Sequence, residues 1–247
     1  MSQLGIRDES ALTKVAYLNI RHGGGSRQPE IAAWLTATGA DVLILTEWRP
    51  SSARVGEELE RVGYKRTEIF RDGKQANGVA LFSLAEHVAT RVTPTESLRG
   101  ELLLAHTEGL CVLGAYFPQK EAKAVYFQRC LDLVAKEAGP TLLIGDLNTG
   151  CNMRDIEPGG TRFHCERDFI NLTSMHGLTD LWRAQHGDEA REWTWRSSKN
   201  GFRIDHAFAN PAFLQAFPNS DCRIDHSPRE AGISDHSALI VDLKDFD

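Results

Sequence analysis

Apolar runs that stop abruptly at a polar residue recur along this chain. The sharpest is Leu142-Leu143-Ile144-Gly145-Asp146-Leu147-Asn148. A short continuous apolar run predicts a strand buried on both faces, and the Gly-Asp break predicts its mouth. Ligands of α/β proteins gather outside the carboxyl ends of strands. Asp146 and Asn148 would point the same way there if the chain stayed extended. Val15 to Ile20 predicts another strand, ending at Asn19, and Val42-Leu43-Ile44-Leu45 a third, followed by Thr46-Glu47-Trp48. Between them Ile31, Trp34, Leu35 and Thr38 have the spacing of one helix face. Ser51 to Val62 predicts a helix capped by Ser51 or Ser52.

The middle changes character. Tyr64–Phe70, Gly78–Phe82, His87–Val92, Glu101–His106 and Cys111–Tyr116 are strand-like runs with short connections, which predicts an antiparallel meander. Helical spacing returns at Phe127, Cys130, Leu131 and Val134. After Asn148 comes an irregular stretch, Thr149 to Thr161, of the length that is often functional in compact domains. A helix around Cys165–Met175 follows, then Leu178 to Arg183, Trp193-Thr194-Trp195, and strands near Ile204–Ala209, Cys222–Asp225 and Ala238–Leu243. There is no internal repeat or linker-like tract. The alternation of elements predicts one domain over residues 1–247, with residues 1–11 a flexible N-terminal segment. Repeated strand–helix units in each half predict an α/β fold of two sheets face to face with helices outside.

Composition narrows the function. The formal charge of −6 over 247 residues removes any global basic signature, so nucleic acid would have to bind a local patch. One such patch spans residues 191–203, where Arg191, Arg196, Lys199 and Arg203 face only Glu192 and are interleaved with Trp193, Trp195 and Phe202. Basic groups with aromatics suit a phosphate backbone and an unstacked nucleotide. Arg154, Arg162 and Arg49 are further phosphate candidates. No apolar run approaches the ~18 residues that span a bilayer, and the N-terminus lacks the form of a signal peptide. Five Cys without a CxxC pair suit free thiols in a reducing cytoplasm.

The strand ends carry one residue chemistry. Asn19, Glu47, Tyr116, Asp146, Asn148, Arg203-Ile204-Asp205 and Ser234-Asp235-His236 all flank apolar runs. Carboxylate and amide oxygens favour a hard cation such as Mg²⁺ or Mn²⁺. Zinc-ligand spacing is lacking, His164-Cys165 being the nearest approach. No Gly-x-Ser-x-Gly elbow is present, and Gly23-Gly24-Gly25 has no following Lys-Ser or Lys-Thr of a phosphate loop.

In order, Leu18-Asn19-Ile20, Leu45-Thr46-Glu47, Gly78-Val79-Ala80-Leu81-Phe82, Ala115-Tyr116-Phe117-Pro118-Gln119 and Gly145-Asp146-Leu147-Asn148 resemble the endonuclease/exonuclease/phosphatase superfamily. The likeness continues through Gly177-Leu178-Thr179-Asp180-Leu181-Trp182-Arg183, Trp193-Thr194-Trp195, Arg203-Ile204-Asp205-His206 and Ser234-Asp235-His236. It is greatest to the exonuclease III-type abasic-site endonucleases. The resemblance implies a four-layer αββα sandwich of two mixed sheets with the site where loops of both meet. It implies Glu47 as the main metal ligand, with Asn19 beside it and Asp235 close to the ion. Asp146 would orient or deprotonate water, Asn148 would hold that water or a phosphate oxygen, and Tyr116 would donate to the phosphate. Asp205 would fix the ring of His236. Trp195, Phe202 and Ile204 match the apolar positions that line the sugar pocket in these nucleases, with Arg203, Arg196 and Arg154 as substrate-binding cations. Two positions depart from the pattern: Arg21 stands where Asp or Asn is usual, and Thr46 where Gln often precedes the metal Glu.

The expectation is therefore a Mg²⁺-dependent phosphodiester hydrolase, with Mn²⁺ able to substitute, acting on DNA as a 3′→5′ exonuclease or abasic-site endonuclease. It is expected to work as a cytoplasmic monomer with no membrane contact. The alternatives are a phosphatase or phosphodiesterase for a small or lipid phosphoester on the same metal site, and a non-catalytic binding module on the same fold.

Overall fold

A computed structural model describes residues 12–70 and 76–244. The flexible segment expected over residues 1–11 lies outside the described residues. The first half of the chain runs β1 (Lys14–Asn19), α1 (Gln28–Ala37), β2 (Val42–Trp48), α2 (Ala53–Arg61), β3 (Lys65–Ile69), β4 (Gly78–Ser83), β5 (Val88–Arg91), β6 (Glu101–Thr107) and β7 (Leu110–Tyr116). It continues with α3 (Ala124–Val134), β8 (Thr141–Asp146), α4 (Glu166–Ser174), β9 (Thr179–Asp180), α5 (Leu181–His186), β10 (Trp195–Arg196) and β11 (Gly201–Phe202). The last elements are β12 (Asp205–Ala209), α6 (Pro211–Ala216), β13 (Asp221–Asp225), α7 (Ser227–Glu230) and β14 (Ala238–Asp242).

Two six-stranded sheets form, ordered β13-β14-β1-β2-β4-β3 and β5-β6-β7-β8-β12-β9, with β10-β11 a separate hairpin. Each sheet has one parallel pair at its centre, β1 with β2 and β7 with β8, flanked by antiparallel neighbours. Each central pair is joined through a helix, as a parallel crossover requires. The consequence for function is geometric. In register, Asn19 lies beside Thr46, and Tyr116 beside Asp146, at the carboxyl ends of the two pairs.

Alternation along the central strands builds three apolar interfaces. Val15, Tyr17, Val42 and Ile44 meet Leu103, Val112, Leu142, Ile144 and Ala207 between the sheets. The opposite faces carry Ala16, Leu18, Leu43 and Leu45 against Ile31, Leu35, Val55 and Leu59 of α1 and α2. Leu113, Ala115, Leu143 and Phe208 likewise cover Phe127 and Cys130 of α3 and Phe169 and Leu172 of α4. The result is the expected four-layer αββα sandwich. Strands covered on both sides bury every position, which is why their sequences read as unbroken apolar runs.

Two local expectations need correction. The five middle strands are not one meander. β3 and β4 pair in the first sheet, while β5, β6 and β7 pair in the second. Short connections set strand adjacency, but nothing in the alternation marks where the chain crosses between layers. Ser52 stands at the N-cap of α2 without a side-chain cap bond, and its Oγ accepts from the Arg49 amide at 3.1 Å instead. The preceding turn, Pro50–Ser52, is 3₁₀ and uses that hydroxyl to close itself. No helix among the described residues is long and apolar enough to cross a membrane.

Candidate active site

The carboxyl ends of β1, β2, β7 and β8 open onto one cleft. Glu47 reaches it through a bulge: the pairing of β2 with β4 slips between Thr46 and Trp48, and Glu47 takes φ +55°. That region is costly for a side chain with a Cβ and persists only where the surroundings enforce it. Here the buried Trp48 indole donates to Glu68 at 2.8 Å, and the Glu47 carbonyl accepts from Gly23 N at 2.9 Å. The Glu47 carboxylate is held by the His22 amide at 2.7 Å and the His22 ring at 2.8 Å. The Tyr116 hydroxyl lies 3.5 Å away, positioned by Asn77 at 3.0 Å.

Asn19 joins the two sheets. Its amide nitrogen donates to Asp146 at 3.1 Å and faces Glu47 at 3.4 Å, while its oxygen accepts from Arg21 N. Asn19 therefore orients both carboxylates, its oxygen turned to the backbone. Asp146 follows Gly145 because β7 passes too close for any side chain: a Cβ at Gly145 would lie 1.9 Å from the Ala115 carbonyl oxygen. The Asp146 carboxylate also accepts from Asn148 N at 2.8 Å. Asn148, at φ +51°, is tied down by Gln119, Lys123 and the Phe117 carbonyl.

Opposite Asp146, His236 Nδ1 bonds Asp205 at 2.8 Å. The second Asp205 oxygen accepts from the Tyr17 hydroxyl at 2.7 Å, so both its oxygens are committed. Burial pushes Asp146 up to about 8, and the Asp205 charge adds, with His236 opposing. Burial alone would lower His236, but the charge and hydrogen bond of Asp205 override it and push the imidazole up to about 10. Asp146, Asp205 and His236 lie within 4.8 Å of one another. With Asp205 satisfied by Tyr17 and His236, these three suit proton handling rather than ion ligation.

The donor set fits a hard cation elsewhere in the cleft. Glu47 and Asp235 are partly exposed carboxylates lining the same space as Asp146, and Asn19 steadies Glu47. Asp235 is set by the Trp195 indole at 3.3 Å and by Arg21 at 3.8 Å. Glu47 and Asp235 offer carboxylate oxygens to the same space, and hard oxygen donors are what Mg²⁺ or Mn²⁺ takes.

Trp195, Phe202 and Ile204 line the cleft, and Trp195 and Phe202 pack with ring centroids 5.7 Å apart. Arg203 does not reach it. Its side chain is 2% exposed and is bound to Asp155 at 2.8 Å and Asp180 at 2.7 Å. Two buried carboxylates from distant segments turn the guanidinium inward. Arg196 and Arg154 also stand off the wall, paired with Glu157 at 2.9 Å and Asp188 at 2.6 Å. Among the described residues the Lys and Arg side chains that line the cleft are Lys120, Lys123 and Arg162, with Phe163 adding a second ring 5.9 Å from Phe202. Lys123 is 1% exposed, and burial lowers its ammonium to about 8. Sequence reasoning missed Tyr17, Asn77, Lys120, Lys123 and Phe163. Only Tyr17 carried a signal, since a hydroxyl inside a fully apolar strand needs a buried partner.

A model of the Endonuclease/Exonuclease/phosphatase family matches residues 16–236. An AP endonuclease from Archaeoglobus fulgidus has a similar structure, with 23% identity, TM-score 0.77, and 94% of this chain and 99% of that chain covered. A 3′ phosphatase from Neisseria bound to a product DNA hairpin is similar to the same degree, at 23% identity, TM-score 0.77 and the same coverage of 94% and 99%. A 3′-5′ exonuclease from Neisseria meningitidis follows at 24% identity, TM-score 0.75, and 94% and 99% coverage. No curated protein matches the sequence at a significant level.

Proposed function

The chain belongs to the endonuclease/exonuclease/phosphatase family of phosphate-ester hydrolases, and from that premise we propose a Mg²⁺-dependent phosphodiester hydrolase acting on DNA in the exonuclease III manner. In this reading it acts as one domain, at a 3′ terminus or an abasic site. One observation carries the proposal: Glu47, Asp146, Asn148, Tyr116 and the Asp205–His236 pair converge on a cleft walled by Trp195, Phe202 and Ile204. The similar solved structures are named for DNA phosphoester chemistry, which favours DNA over other phosphoesters.

Glu47 and Asp235 would hold the cation, with Asn19 fixing the Glu47 carboxylate. When bound, a divalent ion supplies charge neutralisation at the phosphate and stabilises developing oxyanion charge. Asp146 accepts a proton from water placed within hydrogen-bond reach, and Asn148 positions that water or a phosphate oxygen. His236, fixed at Nδ1 by Asp205, offers Nε2–H to a phosphoryl oxygen. The Tyr116 hydroxyl donates to another. Trp195, Phe202 and Ile204 receive the sugar or an unstacked base and exclude water around it. Lys120 and Arg162 meet the backbone at the rim.

The test is hydrolysis of a panel by purified protein with Mg²⁺: abasic duplex, recessed and 3′-phosphorylated duplex ends, single-stranded DNA and RNA, and a small aryl phosphodiester. The expected result is cleavage of a DNA substrate that stops in EDTA. Asp146→Asn should lower turnover by roughly 10³-fold or more, because water then lacks its base. A second reading, a small phosphoester as substrate, draws on the pairing of Arg154 and Arg196, which reduces the free cationic surface. It would show as activity on the aryl diester with none on DNA.

A further inference from the structure

A second cluster of ligating side chains lies on the other sheet face, away from the cleft. His106 on β6 and Cys111 on β7 are direct cross-strand partners. Parity along both strands puts them on the helix-facing side of the sheet, with Leu102 and Leu113. They stand past the end of α3, where the loop to β8 brings in Glu137. That loop is docked firmly, since the Cys111 amide donates to the Pro140 carbonyl at 2.9 Å. His106 Nε2 and Glu137 Oε2 are 3.0 Å apart, and Cys111 Sγ completes a trio whose ligand atoms lie within 4.8 Å of one another. All three line one groove together with His87, whose Nδ1 is buried with no hydrogen-bond partner among the described residues. From Cys111 to Tyr116 there are five residues of strand, about 17 Å at ~3.3 Å per residue.

We propose that His106, Cys111 and Glu137 form a site for a zinc-class divalent ion, distinct from the proposed catalytic cation position. The donors are one imidazole nitrogen, one sulfur and one carboxylate oxygen, a borderline-soft set that suits zinc and disfavours Mg²⁺. Ligand atoms about 2.0–2.1 Å from a tetrahedral zinc are about 3.3 Å from each other, close to the His106–Glu137 separation already present. Water from the groove takes the fourth position. Burial and the Glu137 charge push the Cys111 thiol up to about 12, so the thiol is neutral without metal. Binding breaks the S–H bond, releases that proton to solvent and forms the sulfur–metal bond. The ion would clip the α3–β8 loop onto the β6–β7 hairpin, at the end of the sheet remote from Asp146.

Co²⁺ is the probe, used on the full chain in a non-thiol reductant. The expected result is one equivalent showing a thiolate-to-cobalt charge-transfer band, displaced by one equivalent of Zn²⁺. His106→Asn and Cys111→Ser should each abolish the band, and Glu47→Gln and Cys165→Ser should each retain it. Zn²⁺ should raise the melting temperature of the wild type and not of His106→Asn, with affinity reduced more than about 100-fold in that variant. His106 is exposed, so its replacement leaves the fold intact even if Cys111→Ser does not. Absence of the band in the wild type, its survival in both ligand variants, or its loss in Cys165→Ser alone would overturn the site.

Discussion

Replacing Arg203 by Met separates two roles that its position beside Ile204 and Asp205 could serve. The sequence suggests a phosphate ligand, whereas the structure makes it the centre of a buried ion network. Arg203 Nε bonds Asp155 at 2.8 Å, and its two terminal nitrogens bond the two Asp180 oxygens at 3.1 and 2.7 Å. The guanidinium lies 4.9 Å from the Trp182 ring centroid. Asp155 has a second cation, Arg183 at 2.7 Å, but Asp180 is left with the Arg183 amide at 3.0 Å and His206 at 3.8 Å. Removing Arg203 thus strands one buried carboxylate, a loss of about 3–5 kcal/mol. For a chain of this size each kcal/mol moves the melting temperature by roughly 2–4 °C, so a fall on the order of 10 °C is expected. The assay is paired: calorimetric melting, and KM for DNA cleavage well below the lowered transition. Adding Asp180→Asn should restore part of the loss by deleting the stranded charge. A melting temperature within about 2 °C of wild type together with a tenfold higher KM would refute the network and return Arg203 to the substrate.

Glu47→Gln should weaken Mn²⁺ binding, followed by electron paramagnetic resonance, by at least about tenfold and lower turnover with it; unchanged affinity would remove Glu47 from the ion. Gly145→Ala forces a Cβ to 1.9 Å from the Ala115 carbonyl, so it should destabilise the protein by roughly 2–4 kcal/mol in urea unfolding and displace Asp146; a wild-type midpoint would contradict the close strand approach. The network also fixes a pH response. Burial opposes ionisation of Asp155 and Asp180, yet Arg203 holds both below the usual carboxylate range. A depressed folded pKa contributes stability that is complete above the unfolded value of about 3.9 and is lost as pH falls through the folded value. Urea midpoints should therefore decline below about pH 4, and Arg203→Met should flatten that decline; an equally steep acid slope in the variant would sever the link.

Hydrophobic patterning by itself determined the central strands, because strands covered on both faces must be apolar at every position and must stop where polar chemistry begins. For that reason Asn19, Glu47, Tyr116, Asp146 and Asn148 stand out as strand-end residues in the sequence alone. Trp195 and Phe202 were visible too, as aromatic side chains in an otherwise charged stretch, and Ile204 through the family resemblance. Tertiary structure alone decided the division of the middle strands between layers, since alternation is the same in either sheet. It alone decided the fate of the arginines. The charge of Arg203 is written in the sequence, but whether that charge faces DNA or the interior depends on Asp155 and Asp180, which arrive from other segments of the chain. The bulge that turns Glu47 toward the cleft is of the same kind: local residues permit it, and only the packing of β2 against β4, Trp48 and the His22 loop enforces it.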